Sequence, residues 1–209
     1  PVSDVAVFFL EDLAFIPIEV FMLTFVFEKA LNDREKQHTK EKLNMLIGVF
    51  FSEIGSDLLK IYIDADSNKK DFCKILDGLE TWSDSKFNEV AHDIRNFKLN
   101  VNIHDINKCD VAKYLRSKRP FLVSMLQNPT LLDHDTFTEL LQAVFHLEME
   151  MENHGSCSDL CKEDVDHLTV DFERIYPLLL FEWLIYLKYI STNYPYGYSM
   201  TIRNLDFLN

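Results

Sequence analysis

Several side chains able to ligate a metal or carry a proton stand inside otherwise apolar runs: Glu19, Glu53, His146, Asp171 and Glu182. A carboxylate buried in such a run must be paired, protonated or bound to a cation. His146 and Glu150 are four residues apart, and so are His167 and Asp171, so each pair shares one helical face. If Glu19 and Glu53 approach from the N-terminal helices, the set describes an oxygen-and-imidazole site for a divalent metal. Helix bundles that hold two metals combine Glu-x-x-His units with a Glu from each of two further helices. Here Glu89-Val90-Ala91-His92 has that spacing, and Asp164-Val165-Asp166-His167 approximates it with Asp for Glu. Glu89 and His92 fall in a short, polar segment, so the constellation splits into alternatives that cannot all hold one ion.

The plainer reading needs no ligand. His146 serves as a satisfied edge histidine. Glu182 pairs with Arg174, Lys188 or a neighbouring helix. Glu148, Glu150 and Glu152 alternate with Met149 and Met151 as a solvated acidic flank. No EF-hand spacing, glycine-rich phosphate loop, Gly-x-Ser-x-Gly elbow or HEXXH motif is present. Cys73 and Cys109 have no histidine at a spacing that would make either a nucleophile. The residues therefore favour a non-enzymatic protein, with a metalloprotein using Glu19, Glu53, His146, Glu150, His167 and Asp171 as the alternative.

The elements that would position these side chains read as helices throughout. The chain is 47% hydrophobic, with 17 Phe, 8 Tyr and 2 Trp, enough for a sizeable aromatic core; its 5 Gly and 6 Pro are too few for a hairpin-rich fold. A first helix is expected from about Val5 to Lys36, kinked or interrupted at Pro17. Leu43, Leu46, Ile47, Phe50, Phe51, Ile54, Leu58 and Ile61 recur at three- and four-residue steps and predict a second helix over 40–63. Short helices are expected near 71–80 and, capped by Ser83, over 86–97. Residues 98–110 are the least helical. Asp110 is expected to cap a helix that Pro120 bends or divides before the stop at Asn128-Pro129-Thr130. A helix follows over 133–153, then a turn at 154–159 and a long helix over 162–193 with a kink at Pro177. Tyr194-Pro195-Tyr196-Gly197-Tyr198 ends it, and Ile202, Leu205, Phe207 and Leu208 suggest that the tail packs back. The expected fold is all-α: an irregular multi-helix bundle with long N-terminal and C-terminal helices, forming one domain over 1–209.

The first helix is the exceptional one. After Glu11 and Asp12 it runs apolar from Leu13 to Phe27 with Glu19 inside, then turns abruptly charged. Asp4, Glu11 and Glu19 recur at steps of seven and eight, giving one narrow acidic stripe on a wide greasy helix. Leu13 to Phe27 falls short of the about 20 apolar residues of a full membrane span. Residues 1–36 are thus expected to enter a core, to pack with copies of the chain, or to contact a membrane or partner. Phe21, Phe25 and Phe27 would supply the contact, with Glu11 and Glu19 choosing orientation. Lys29, Arg34, Lys36, Lys40 and Lys42 would lie on the cytoplasmic side of a membrane contact.

The net charge of −13 repels phosphate backbones, so general nucleic-acid binding is not expected. The basic cluster Lys113-Tyr114-Leu115-Arg116-Ser117-Lys118-Arg119 leaves room for a regulator of a phosphate-handling enzyme. The first residues lack the basic stretch of a secretory leader, and the four cysteines are irregularly spaced. These features suggest a cytoplasmic location, at the inner face of a membrane if the first helix docks there. The leading expectation is a helical interaction or scaffolding protein, oligomeric or membrane-associated through its N-terminal helix.

Overall fold

The computed structural model describes residues 2–94, 100–132, 134–153 and 162–205, with side chains from residue 15 onward except Leu132. The fold is all-α, and among the described residues there is no strand, only an isolated bridge between Asp66 and Val101. The helices are α1 (Val2–Phe50), α2 (Ser56–Asp64), α3 (Lys69–Ile75), α4 (Asp84–Ile94), α5 (Lys108–Leu126), α6 (Pro129–Leu132), α7 (Asp135–Asn153), α8 (Lys162–Asn193) and α9 (Pro195–Arg203). A π-helical turn, Phe51–Gly55, joins α1 to α2. The chain divides into two units, 1–42 and 43–209. Residues 64–70 lie inside the second unit.

In the first unit, helix runs through Pro17 and through the charged residues 32–42 without the interruption expected at Pro17 or between Lys36 and Lys40. Proline removes one backbone donor and crowds the preceding turn, yet the i→i−4 ladder continues on either side of it. Charged helix formers with local pairs, such as the Gln37 amide donating to Glu41 at 3.0 Å, carry the helix onward.

The second unit is organised around α8. It packs against α2, the π-turn, α4, α7 and α9, while α5 packs on α7. Its apolar face, Leu168, Phe172, Ile175, Tyr176, Leu179, Trp183 and Leu187, is buried throughout. Pro177 leaves α8 undivided, as Pro120 leaves α5.

The π-turn explains a misread stripe. Ile47, Phe50, Phe51, Ile54 and Leu58 are buried as the three-and-four spacing predicts, but so are Leu59, Tyr62 and Ile63, whereas Ile61 is only half-buried. On an uninterrupted α-helix Leu59 and Ile63 would drift off the buried face, while Tyr62, eleven residues after Phe51, would stay on it. The wider turn inserts one residue of phase, about 100° for a 3.6-residue helix, and restores Leu59 and Ile63. It also alters the backbone bonding locally, and the Tyr114 hydroxyl of α5 donates to Glu53 O at 3.1 Å. The aromatic rings meet here as well: Phe50 lies edge-on to Phe51 and Phe137, and Phe51 stacks on Tyr186.

Helix ends differ from expectation in two places. Asn107, not Asp110, caps α5: its side chain accepts from Asp110 N–H at 3.3 Å and donates to Asp110 Oδ2 at 2.6 Å. The aromatic run at 194–198 ends α8 and also starts α9, because Pro195 needs no N–H donor in a first turn. Tyr198, Ile202 and Leu205 are buried, and the Tyr198 hydroxyl donates to Leu79 O. The expected turn at 154–159, the end of the 86–97 helix, Phe207 and Leu208 lie outside the described residues. Gly78, at φ +70°, is in the left-handed region that favours glycine, where the chain leaves α3 for a single 3-10 turn, Leu79–Thr81.

Candidate functional site

The metal constellation can be followed residue by residue. Glu19 belongs to the first unit and is exposed. In the second unit, His146, Glu150 and Asp171 come together across α7 and α8. His146 Nε2 lies 3.7 Å from Asp171 Oδ2 and 3.9 Å from Glu150 Oε1, which are ion-pair distances. Glu53 pairs with Lys118 at 3.0 Å, and His167 is exposed. Among the described residues, no group of three or more His, Cys, Asp and Glu is arranged to hold a metal ion.

The basic cluster of α5 is largely engaged by the protein's own acids. Lys118 holds Glu53, Arg116 reaches Glu152 at 3.4 Å, and Arg119 pairs with both Glu148 and Glu152. Tyr114 completes the seam with a 2.8 Å bond to Asp57. Burial, followed by the Asp57 hydrogen bond and charge, holds its phenol above the usual range.

Three buried acids, Glu182, Glu148 and Asp66, define the interior electrostatics. Glu182 is fully buried and accepts from the Thr136 hydroxyl of α7, the neighbouring-helix alternative of the sequence reading; Arg174 pairs with Glu139, and Lys188 with Asn88 and Asp84. Glu148, expected in a solvated flank, is 2% exposed and held by Arg119, whose guanidinium also lies 5.2 Å from the Phe145 ring centre. The signal for Glu148 was present in the spacing. It follows Leu141 and Val144 and precedes Met151 at helical steps, which places it on the buried face of α7. Asp66 was missed for another reason. It is buried in a loop, where one carboxylate oxygen accepts from Asn68 N–H at 2.8 Å and Asn100 N–H at 3.2 Å, a pairing across distant sequence. Beneath it the Tyr62 and Tyr176 rings stack at 5.1 Å. Burial pushes both phenols up, with Asp171 adding to Tyr62 and Asp66 to Tyr176.

Two open grooves flank the 79–81 turn and α9, about 550 and 520 Å³ in volume, and both are lined by Glu80, Thr81, Ile202 and Arg203. Their walls offer hydroxyls and scattered charges without a convergent set of donors or acceptors.

The largest concentration of unsatisfied chemistry is apolar and lies in the first unit. Every described residue from 15 to 42 is exposed. Phe15, Phe21, Phe25 and Phe27 are 60–72% exposed, and Ile16, Ile18, Val20, Met22, Leu23, Val26 and Leu31 are all above 50%. Thr24, which interrupts this surface, donates its hydroxyl to Val20 O at 2.8 Å and so satisfies itself within the helix. The side chain of Glu11 lies outside the described residues. Among the described residues, no helix is long and apolar enough to cross a membrane.

Fold and site together describe an all-helical protein with an aromatic-cored C-terminal body and an apolar N-terminal helix. The chain belongs to the MJ1433 family: residues 39–203 match "Uncharacterized protein MJ1433, C-terminal helical domain", and residues 2–31 match its N-terminal helical domain. It is 42% identical over 203 residues to the uncharacterized protein MJ1433 of Methanocaldococcus jannaschii, covering 97% of this chain and 81% of that protein. No solved structure matches. The N-terminal match ends at Leu31, where the exposed apolar surface also ends.

Proposed function

We propose that the protein is a non-enzymatic helical interaction protein, cytoplasmic, which docks through residues 15–31 of α1. The observation that carries this reading is the exposure of that surface. Monomeric soluble proteins rarely expose a contiguous apolar patch beyond a few hundred Å², and larger ones mark contact sites. Four phenylalanines alone, at about 150–250 Å² each and mostly exposed, contribute on the order of 500 Å². Burial of each is worth about 1.5–3 kcal/mol. Several together can offset the about 4–15 kcal/mol that association costs in lost freedom. Glu19 then selects orientation by charge and adds little affinity. The engagement of Arg116, Lys118 and Arg119 with acids of this chain supports placing the contact on α1 over the α5 cluster.

Substituting Phe21 and Phe25 together with Glu tests the reading. Because both side chains are exposed, the melting temperature of the folded body should stay within about a degree. Whichever association the unaltered chain shows, with itself by light scattering or with vesicles by flotation, should be lost. If the unaltered chain is already a monomer that binds neither itself nor vesicles, the reading fails.

A further inference from the structure

Resting on that docking reading, we infer that the occupant of the α1 surface is further copies of this chain, joined as an assembly of three or more helices. Three observations lead there. First, the apolar side chains surround the helix. Successive residues are about 100° apart, so Phe21 and Leu23 point to opposite sides, as do Val20 and Met22, and all four are more than half exposed. A helix apolar on every side is a buried helix. One partner helix covers a single stripe, so a two-helix contact would leave the opposite side in water. Enclosure requires at least two neighbours for each helix.

Second, the surface is ample. With the aliphatic residues added to the four phenylalanines, residues 15–31 expose on the order of 1,000 Å² of apolar side chain, above the about 800 Å² that each partner gives to a standard interface. Third, the polar inventory fits protein neighbours better than lipid. Thr24 is internally bonded, which leaves Glu19 as the one ionisable group between Phe15 and Phe27. A carboxylate at mid-segment is costly in hydrocarbon, while an assembly of helices can place it at an edge. The segment is also short: the apolar run from Leu13 to Phe27 rises about 22 Å against a hydrocarbon thickness of about 30 Å. Beyond it, Glu28 to Lys42 carries acids and bases in near balance, so that stretch has no strong preference for an anionic surface.

The experiment is sedimentation equilibrium of the full-length chain in low and high salt, with flotation against phosphatidylcholine–phosphatidylglycerol vesicles run beside it. The expected result is a mass of three or more chains that dissociates on dilution. Association should strengthen with salt, because chains of net charge −13 repel one another less when screened. Phe21→Glu and Leu23→Glu, each alone, should weaken assembly at least tenfold, since both sides of the helix are covered. A dimer sensitive to only one of the two substitutions overturns the enclosure. A monomer that floats with vesicles overturns self-assembly and leaves the docking surface intact. A monomer that does neither overturns both.

Discussion

Replacing Gly55 with alanine tests how closely the π-turn is packed. A Cβ at this position would lie 2.5 Å from Phe51 Cδ1, 2.9 Å from Phe51 Cε1 and 2.9 Å from Phe50 Cε1. None of these separations is tolerated by real carbon contacts, so a ring must move. The rings have nowhere to go: Phe50 is fully buried and edge-on to Phe137 at 5.3 Å, and Phe51 is stacked on Tyr186 at 5.5 Å. Overpacking costs about 1–3 kcal/mol, and a 2.5 Å approach to an immobilised ring puts this position at about 2–3 kcal/mol. Alanine returns up to about 1 kcal/mol in helix propensity, leaving a net loss of about 1–2 kcal/mol. For a folded unit of this size that lowers the melting temperature by about 2–8 °C. Gly197→Ala is the matched control. It lies exposed in α9, its nearest new contact would be Tyr194 Cβ at 3.8 Å, and it should leave stability unchanged or slightly raised. Gly48→Ala, 3.1 Å from the half-buried Tyr186 ring, should fall between them. Thermal unfolding followed by circular dichroism measures all three. If Gly55→Ala melts at or above the parent, the aromatic packing around the π-turn is not as described.

Arg119→Leu leaves Glu148 buried without its cation. Breaking a fully buried pair costs about 3–5 kcal/mol; Arg119 keeps 38% of its side chain exposed, so about 2–3 kcal/mol is expected by urea denaturation. Adding Glu148→Leu should recover most of it, and a double variant as weak as the single would show that the pair is not the cause. Tyr114→Phe removes the hydroxyl shared by Glu53 O and Asp57 and should cost about 1 kcal/mol. Alkaline stability should fall for a stated reason. Burial raises the Tyr62, Tyr114, Tyr176, Tyr186 and Tyr198 phenols, Tyr198 to about 12. An acid raised in the folded state ionises first in the unfolded chain. Stability is therefore full below about pH 10 and is lost as pH climbs through 10 towards 12. Tyrosinate absorbance from these residues should appear together with loss of helical signal; ionisation of all 8 tyrosines near pH 10 with helix retained would contradict their burial.

The all-helical class and the long helix over 162–193 were readable because apolar residues recur at helical steps over long segments. The same logic failed where local geometry departs from the α period. Leu59 and Ile63 entered the core through a π-turn that periodicity cannot register. Proline was given too much weight as a break at position 17, since one missing donor is a local loss that surrounding turns absorb; the undivided helix through Pro177 was expected. The polar interior was legible only in part. Glu182 stood alone in an apolar run and was found. Glu148 hid among alternating acids, although its spacing from Val144 and Met151 marks it as inward. Asp66 depends on Asn100, thirty-four positions away, and no local pattern carries that information. The apolar α1 surface was the plainest signal in the chain, because a run from Leu13 to Phe27 with one acid needs only composition to be seen.

The change of character along α1 implies a gradient in time. From Phe15 to Lys42 no described side chain is buried, so in the separate chain each backbone bond there is held only by its neighbours along the helix. From Ile47 onward the same ladder is locked under aromatic rings. Amide protons before Lys42 should exchange with solvent through local opening, and those after Ile47 only when the whole body unfolds. A single continuous helix would thus contain both a fast and a slow clock. Assembly would be visible as the slowing of the fast one.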